Sequence, residues 1–234
     1  MTGRAYRPPP RVLEIDAVLF DLDGTLADTA GDLAGALNRV RADHGLAPMP
    51  VDQLRPHASA GARGLLGAGM GIAPDHADYT RLRDAFLEHY RDALDVTTRL
   101  FDGVPAMLDA IEARGLRWGV VTNKAERFTT PVVAALGLAM RAGVVVSGDT
   151  TAHSKPHPLP LLHAAATLGV PAQRCTYVGD DLRDVIAGNS AGMPTLVADY
   201  GYLGESGSAD DWPATGWLPA PLDLLHWLPR PRSR

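Results

Sequence analysis

The sequence predicts an α/β protein: a parallel, doubly wound sheet with a helical insertion after its first strand. Three observations carry that prediction. A short apolar run, Ala17–Phe20, ends abruptly in Asp21. From Pro48 to about Thr98 the apolar spacing is helical and no strand alternation appears. After Phe101, helix and strand signals alternate one for one to about Ala198, and strands separated by single helices pair in parallel.

The elements follow in order. Ala17–Phe20 is too short for a helix and reads as a buried strand. Asp28, Thr29 and Asp32 open a helix carrying Leu33, Leu37 and Val40 at helical spacing, closed by Gly45. In the insertion, Leu82, Phe86, Tyr90 and Leu94 recur every four residues as one stripe. Residues 105–114 form a helix with proline in its first turn and Gly115 after it. Residues 118–121 read as a strand, 126–136 as a helix and 143–147 as a strand. Residues 159–168 read as a helix, 176–178 as a strand, 182–191 as a helix and 195–198 as a last strand. The segment from Tyr200 is rich in Gly, Pro and Trp.

Composition narrows the function. The 234 residues are 46% hydrophobic and 21% charged, which supplies a sizeable core and excludes a disordered or collagen-like chain. A net charge of −5 argues against nucleic acid as the partner. Cys175 stands alone, so no internal disulfide and no cysteine zinc site are expected. No apolar run approaches the length of a membrane span. The first sixteen residues carry Arg4, Arg7, Arg11 and three prolines, without the apolar stretch of a signal peptide. A soluble, cytoplasmic protein is expected. Of its 22 basic residues only Lys124 and Lys155 are lysines, which points to places where a compact ammonium is wanted.

Ligands of such sheets bind beyond the carboxyl ends of the strands, and four of these ends carry chemistry. The first reads Asp21-Leu22-Asp23-Gly24-Thr25-Leu26-Ala27-Asp28. Paired acids there repel one another unless a hard cation sits between them, although D-x-D-G alone also suits an acidic turn. The second is Val121-Thr122-Asn123-Lys124, where Thr122 can donate to a phosphate or cap the next helix; alone, the cap is the better reading. The third, Ser154-Lys155-Pro156-His157-Pro158, holds an ammonium on a rigid loop suited to a transferring phosphoryl group. The fourth is Gly179-Asp180-Asp181-Leu182-Arg183-Asp184, where Asp180 is the candidate metal ligand. Asp184 also suits a helix N-terminus.

Taken together and in this order, these motifs resemble those of the haloacid dehalogenase superfamily of phosphatases. Residues 21–28 match D-x-D-G-T-x-x-D without a departure, and Thr122, Lys155 and Gly179-Asp180-Asp181 match the other three motifs. The resemblance implies a Rossmann-like core with an inserted α-helical cap. It divides the chain into a tail (1–15), a core (16–30 and 98–234) and a cap (31–97). It implies that Asp21 is a nucleophile forming an aspartyl-phosphate, and that Asp23 protonates the leaving oxygen and then activates water. It further implies Mg²⁺ held by Asp21, the backbone carbonyl of Asp23 and Asp180, and phosphoryl oxygens held by Thr122, Asn123 and Lys155. Asp181 or Asp184 would act through water or hold Lys155.

Other activities of the superfamily fit less well. Asp23 argues against a dehalogenase, and the absence of lysine between Asp21 and Phe101 argues against a phosphonate-cleaving Schiff-base enzyme. Leu33 stands where the related sugar phosphomutases carry histidine. A phospho-accepting signalling domain without turnover would lack both D-x-D and the insertion. The substrate implied is a small phosphorylated metabolite, with the enzyme a monomer or homodimer. Residues 59–64 form a flexible segment in which Arg63 could meet a substrate carboxylate or hydroxyls. The chain resembles the phosphoglycolate phosphatase group through residues 121–124, 154–158 and 200–202 and, within it, the N-acetylmuramic acid 6-phosphate phosphatases through the S-x-G-A-R segment at 59–63 and residues 100–103, 118–121 and 179–184. Broad sugar-phosphate specificity is the alternative.

Overall fold

A computed structural model of the chain describes residues 12–204 and 208–230. The basic, proline-rich start of the expected tail, residues 4–11, lies outside them. Residues 12–15 do not hang free of the body, since Leu13 and Ile15 are buried and Leu13 N donates to Trp227 O at 2.8 Å.

The first strand, β1 (Ala17–Phe20), is apolar throughout because both its faces are covered. Val18 and Phe20 face one apolar layer and Ala17 and Leu19 the other, the period of two expected of a strand. The chain then makes a two-residue strand, β2 (Ala27–Asp28), and enters the helical segment. That segment holds α1 (Ala30–Asp43), α2 (Val51–Leu54), a 3₁₀ turn (Arg55–Ala60), α3 (Gly61–Met70) and α4 (Tyr79–Arg91). Its own core forms around Leu37, Leu65, Leu66, Leu82, Phe86 and Tyr90. Residues 59–64, expected to be flexible, lie instead in the 3₁₀ turn and the first turn of α3. The stripe on α4 stops at Tyr90, and Leu94 lies past the helix end.

The chain leaves this segment through β3 (Arg99–Leu100), antiparallel to β2 with Ala27 opposite Leu100 and Asp28 opposite Arg99. It continues as α5 (Val104–Ala113), β4 (Arg117–Val121), α6 (Glu126–Ala135), β5 (Val145–Val146), α7 (Leu159–Leu168), β6 (Cys175–Gly179), α8 (Leu182–Ser190) and β7 (Thr195–Ala198). A further strand, β8 (Gly216–Leu218), follows, so Thr195–Ala198 is not the last, as the sequence reading had it. The expected strand at 143–147 is reduced to two residues.

The sheet runs β5-β4-β1-β6-β7-β8 and each pairing is parallel. Successive strands first build outward from one side of β1, then from the other. The topology therefore switches between β1 and its neighbours β4 and β6, and the carboxyl ends of these three strands border one crevice. No helix among the described residues is long and apolar enough to cross a membrane.

Candidate active site

Asp21 follows β1, and Asp180 and Asp184 follow β6. Their carboxylate oxygens lie within 4.8 Å of one another, and all three side chains are buried. Gly24 permits this approach: its φ is +82°, and a Cβ there would lie 2.1 Å from Asp180 Oδ2. Gly179 is equally confined, because a Cβ would meet Asp184 Cγ at 2.3 Å. Asp180 is held by hydroxyls from remote segments: Thr25 Oγ1 donates to it at 3.2 Å and Ser59 Oγ at 3.0 Å. The backbone N–H of Tyr202 adds a third bond at 2.9 Å.

Lys155 stands between two of the acids. Its Nζ lies 2.9 Å from Asp21 and 2.8 Å from Asp184, and it also donates to Val121 O at 3.1 Å and Tyr177 Oη at 2.8 Å. Asn123 fixes the Lys155 backbone from both sides: its amide donates to Lys155 O and accepts from Lys155 N, each at 2.9 Å. Asn123, expected on a phosphoryl oxygen, clamps the lysine loop with its side chain and also borders the cavity beside the acids.

The electrostatics leave room for a cation. Burial pushes the Asp21 carboxyl up to about 6, with Lys155 opposing and Asp184 and Asp23 reinforcing the shift. Burial, then Asp21 and Asp184, push Asp180 well above the usual carboxylate range. Burial works against the Lys155 ammonium, but Asp184 and Asp21 outweigh it and hold its pKa above the ordinary value. Lys155 thus pairs with two of the three buried acids and leaves Asp180 to neutral donors. Hard oxygen ligands at this spacing, with negative charge left over, fit a small divalent ion.

Of the two acids expected to hold Lys155, Asp184 does so, and the remaining acids have other partners. Asp23 stands apart from the trio: its oxygens lie 3.0 and 3.1 Å from Lys124 Nζ, and Thr29 Oγ1 donates to its Oδ1 at 2.6 Å. Asp181 caps α8 by accepting from Arg183 N at 2.9 Å and pairs with the Arg183 side chain at 2.8 Å. Burial raises the Asp181 carboxyl, but the bonds from Arg183 prevail and hold it below the usual range. Asp184 completes the cap by accepting from Asp181 N, so it serves both the helix start and the acid cluster.

A cavity of about 400 Å³ opens beside these groups. Asp21, Asp23, Thr122, Lys124 and Lys155 form its polar end, and Phe86, Tyr90 and Phe128 give it an aromatic wall. Arg63 is exposed and lies outside it, lining a neighbouring cleft with His57 and Arg183. Reasoning from sequence gave Ser59, Tyr177 and Tyr202 no role in the site, although Ser59 and Tyr202 lie in segments that carry the resemblance. Tyr202 Oη accepts from Thr29 N at 2.7 Å and Ala30 N at 3.0 Å, donates to Asp28 at 3.1 Å, and so caps α1 at the edge of the site. Lys124 had a signal, its rarity, but no assigned partner.

Known proteins share this sequence pattern and this fold. The family model for haloacid dehalogenase-like hydrolases matches residues 18–198. The N-acetylmuramic acid 6-phosphate phosphatase of Pseudomonas aeruginosa is 41% identical, covering 93% of this chain and 96% of its own. The phosphoglycolate phosphatase of Xanthomonas campestris pv. campestris is 42% identical, covering 91% and 95%. The crystal structure of a predicted phosphoglycolate phosphatase from Haemophilus somnus superposes with a TM-score of 0.79 at 25% identity, covering 91% of this chain and 97% of that one. Phosphatases of this family generally use a divalent metal. The chain therefore belongs to the haloacid dehalogenase-like hydrolases.

Proposed function

We propose that this enzyme hydrolyses the phosphomonoester of a small metabolite through an aspartyl-phosphate on Asp21, with Mg²⁺ as the ion. One observation carries the reading: Asp21, Asp180 and Asp184 are buried within 4.8 Å of one another, and Asp21, Asp184 and the Lys155 that meets Asp21 line a cavity at the sheet's switch point. The two relatives named above are both phosphatases.

Asp21, Asp180 and the backbone carbonyl of Asp23 would hold the ion, with Asp184 beside them. The ion would offset the repulsion between the Asp21 carboxylate and the phosphate dianion. Lys155 neutralises the other side of the phosphoryl group. Thr122 Oγ1 accepts from Lys124 N at 3.2 Å, which leaves its own hydrogen to donate to a phosphoryl oxygen. Asp23, on the cavity wall, delivers a proton to the leaving oxygen and later takes one from the attacking water.

For the substrate we favour N-acetylmuramic acid 6-phosphate over phosphoglycolate. A cavity of about 400 Å³ with an aromatic wall falls in the size range of drug-sized ligands, larger than a two-carbon acid needs. A cytoplasmic location belongs to the same reading, supported by Cys175 being buried and free. A phosphate-release screen, with Mg²⁺ or EDTA, over both compounds, other sugar phosphates and nucleotides tests it. Metal-dependent release from at least one ester is expected, with the muramic acid ester the best. Stable phosphorylation of the protein without release would overturn the enzymatic reading.

A further inference from the structure

We infer that Lys124 is the positioning residue of Asp23, an inference that rests on the acid–base role proposed for that carboxylate. Of the chain's 22 basic residues two are lysines, and these divide the first two acids of the first motif between them. Lys155 meets Asp21 at 2.9 Å, and Lys124 meets Asp23 at 3.0 Å.

Lys124 reaches Asp23 from a fixed base. Its backbone N–H donates to Thr122 Oγ1 at 3.2 Å, and its carbonyl accepts from Thr129 Oγ1 at 2.9 Å and Gly148 N at 2.8 Å. Its side chain is buried, with Nζ 4.7 Å from the centroid of the Tyr90 ring. An ammonium has three N–H donors: two suit the Asp23 oxygens and the third suits the ring face. A planar guanidinium would bring five donors to the same space, which explains a lysine here in a chain whose basic residues, Lys155 apart, are otherwise arginines.

Lys124 and Thr29 both bond Asp23 Oδ1, at 3.0 and 2.6 Å, whereas Oδ2 receives Lys124 alone at 3.1 Å. The geometry therefore makes Oδ2 the oxygen that exchanges a proton. With Oδ2 protonated, Oδ1 still accepts from both donors, so the carboxyl keeps its orientation through the cycle. In the first half, Asp21 bonds phosphorus, the bond to the leaving oxygen breaks, and that oxygen takes the Oδ2 proton. In the second, water bonds phosphorus and gives a proton to Oδ2, while the bond from phosphorus to Asp21 breaks and restores its carboxylate.

The test is Lys124→Met in the full chain, assayed on p-nitrophenyl phosphate and on the best alkyl phosphoester from the screen. The aryl leaving group departs as a stable anion and needs no proton; the alkyl group needs one. General acid catalysis contributes about 10²- to 10⁴-fold, so kcat/KM falls about 100-fold or more on the alkyl ester and less than about tenfold on the aryl ester. The aryl ester also gives a burst of p-nitrophenolate, one per active site, because hydrolysis of phosphorylated Asp21 has become slow. Equal losses on both esters, or no loss, overturn the inference. Thr29→Val removes the other bond to Oδ1, shows the same split in weaker form, and decides the matter if Lys124→Met does not fold. Asp23→Asn separates the two readings. If it shows no split, the acid–base role of Asp23 fails; if it shows one and Lys124→Met does not, only the positioning role fails.

Discussion

Among single residues, Asp21 carries the greatest weight. Asp21→Asn removes the nucleophile while leaving Lys155 bonded to Asp184, Val121 O and Tyr177. We expect phosphate release to fall below about 10⁻³ of the parent rate. Melting in EDTA should not fall by more than a few degrees, because one of three crowded acids is gone. Release at the parent rate would remove Asp21 from the chemistry. The residues that the sequence disclosed are those in short runs at strand ends, where chemistry and local structure coincide: Asp21, Lys155 and Asp180. The contacts of Ser59, Tyr177 and Tyr202 were not legible, because each acts through a partner distant in the chain; Ser59 and Tyr202 registered only as members of segments that carry the resemblance. Arg63 drew attention as the arginine of a glycine-bearing segment, yet it faces another cleft.

Elements were legible in proportion to their length. α7 and β7 were read with their observed bounds, and the other helices of the alternating region to within a residue or so. β2, β3 and β8 have two or three residues each, too few for any periodicity to register. The passage out of the helical segment is made instead by one side chain. Asp32, in the first turn of α1, accepts from the N–H and the hydroxyl of both Thr97 and Thr98, at 2.7 to 3.1 Å. The sequence reading saw only a polar helix start. Asp32→Ala strands these partly buried donors and should cost about 1–3 kcal/mol in urea denaturation. A change below about 0.5 kcal/mol, within the range of ordinary surface substitutions, would show that the joint does not depend on it.

For the whole molecule, the buried acids tie stability to pH and to metal. A carboxyl raised to about 6, as in Asp21, favours the folded state at low pH and loses that advantage as pH rises through 6. Asp180, raised further, acts in the same direction. The metal-free protein should therefore be strained by its own site at pH 8, and Mg²⁺ should relieve it. At 100 times its Kd, a ligand adds about 2.7 kcal/mol, or about 5 to 10 °C in Tm for a chain of this size. That rise should appear at pH 8 and shrink at pH 5, where protons compete; equal rises at both would contradict the shared site. Tyr202 has a different kind of consequence. It braces Asp180 and the start of α1 from outside the stretch that the family model matches. A shortened relative that stops at residue 198 could thus display every hallmark by which such hydrolases are catalogued and still be missing a strut of its catalytic floor.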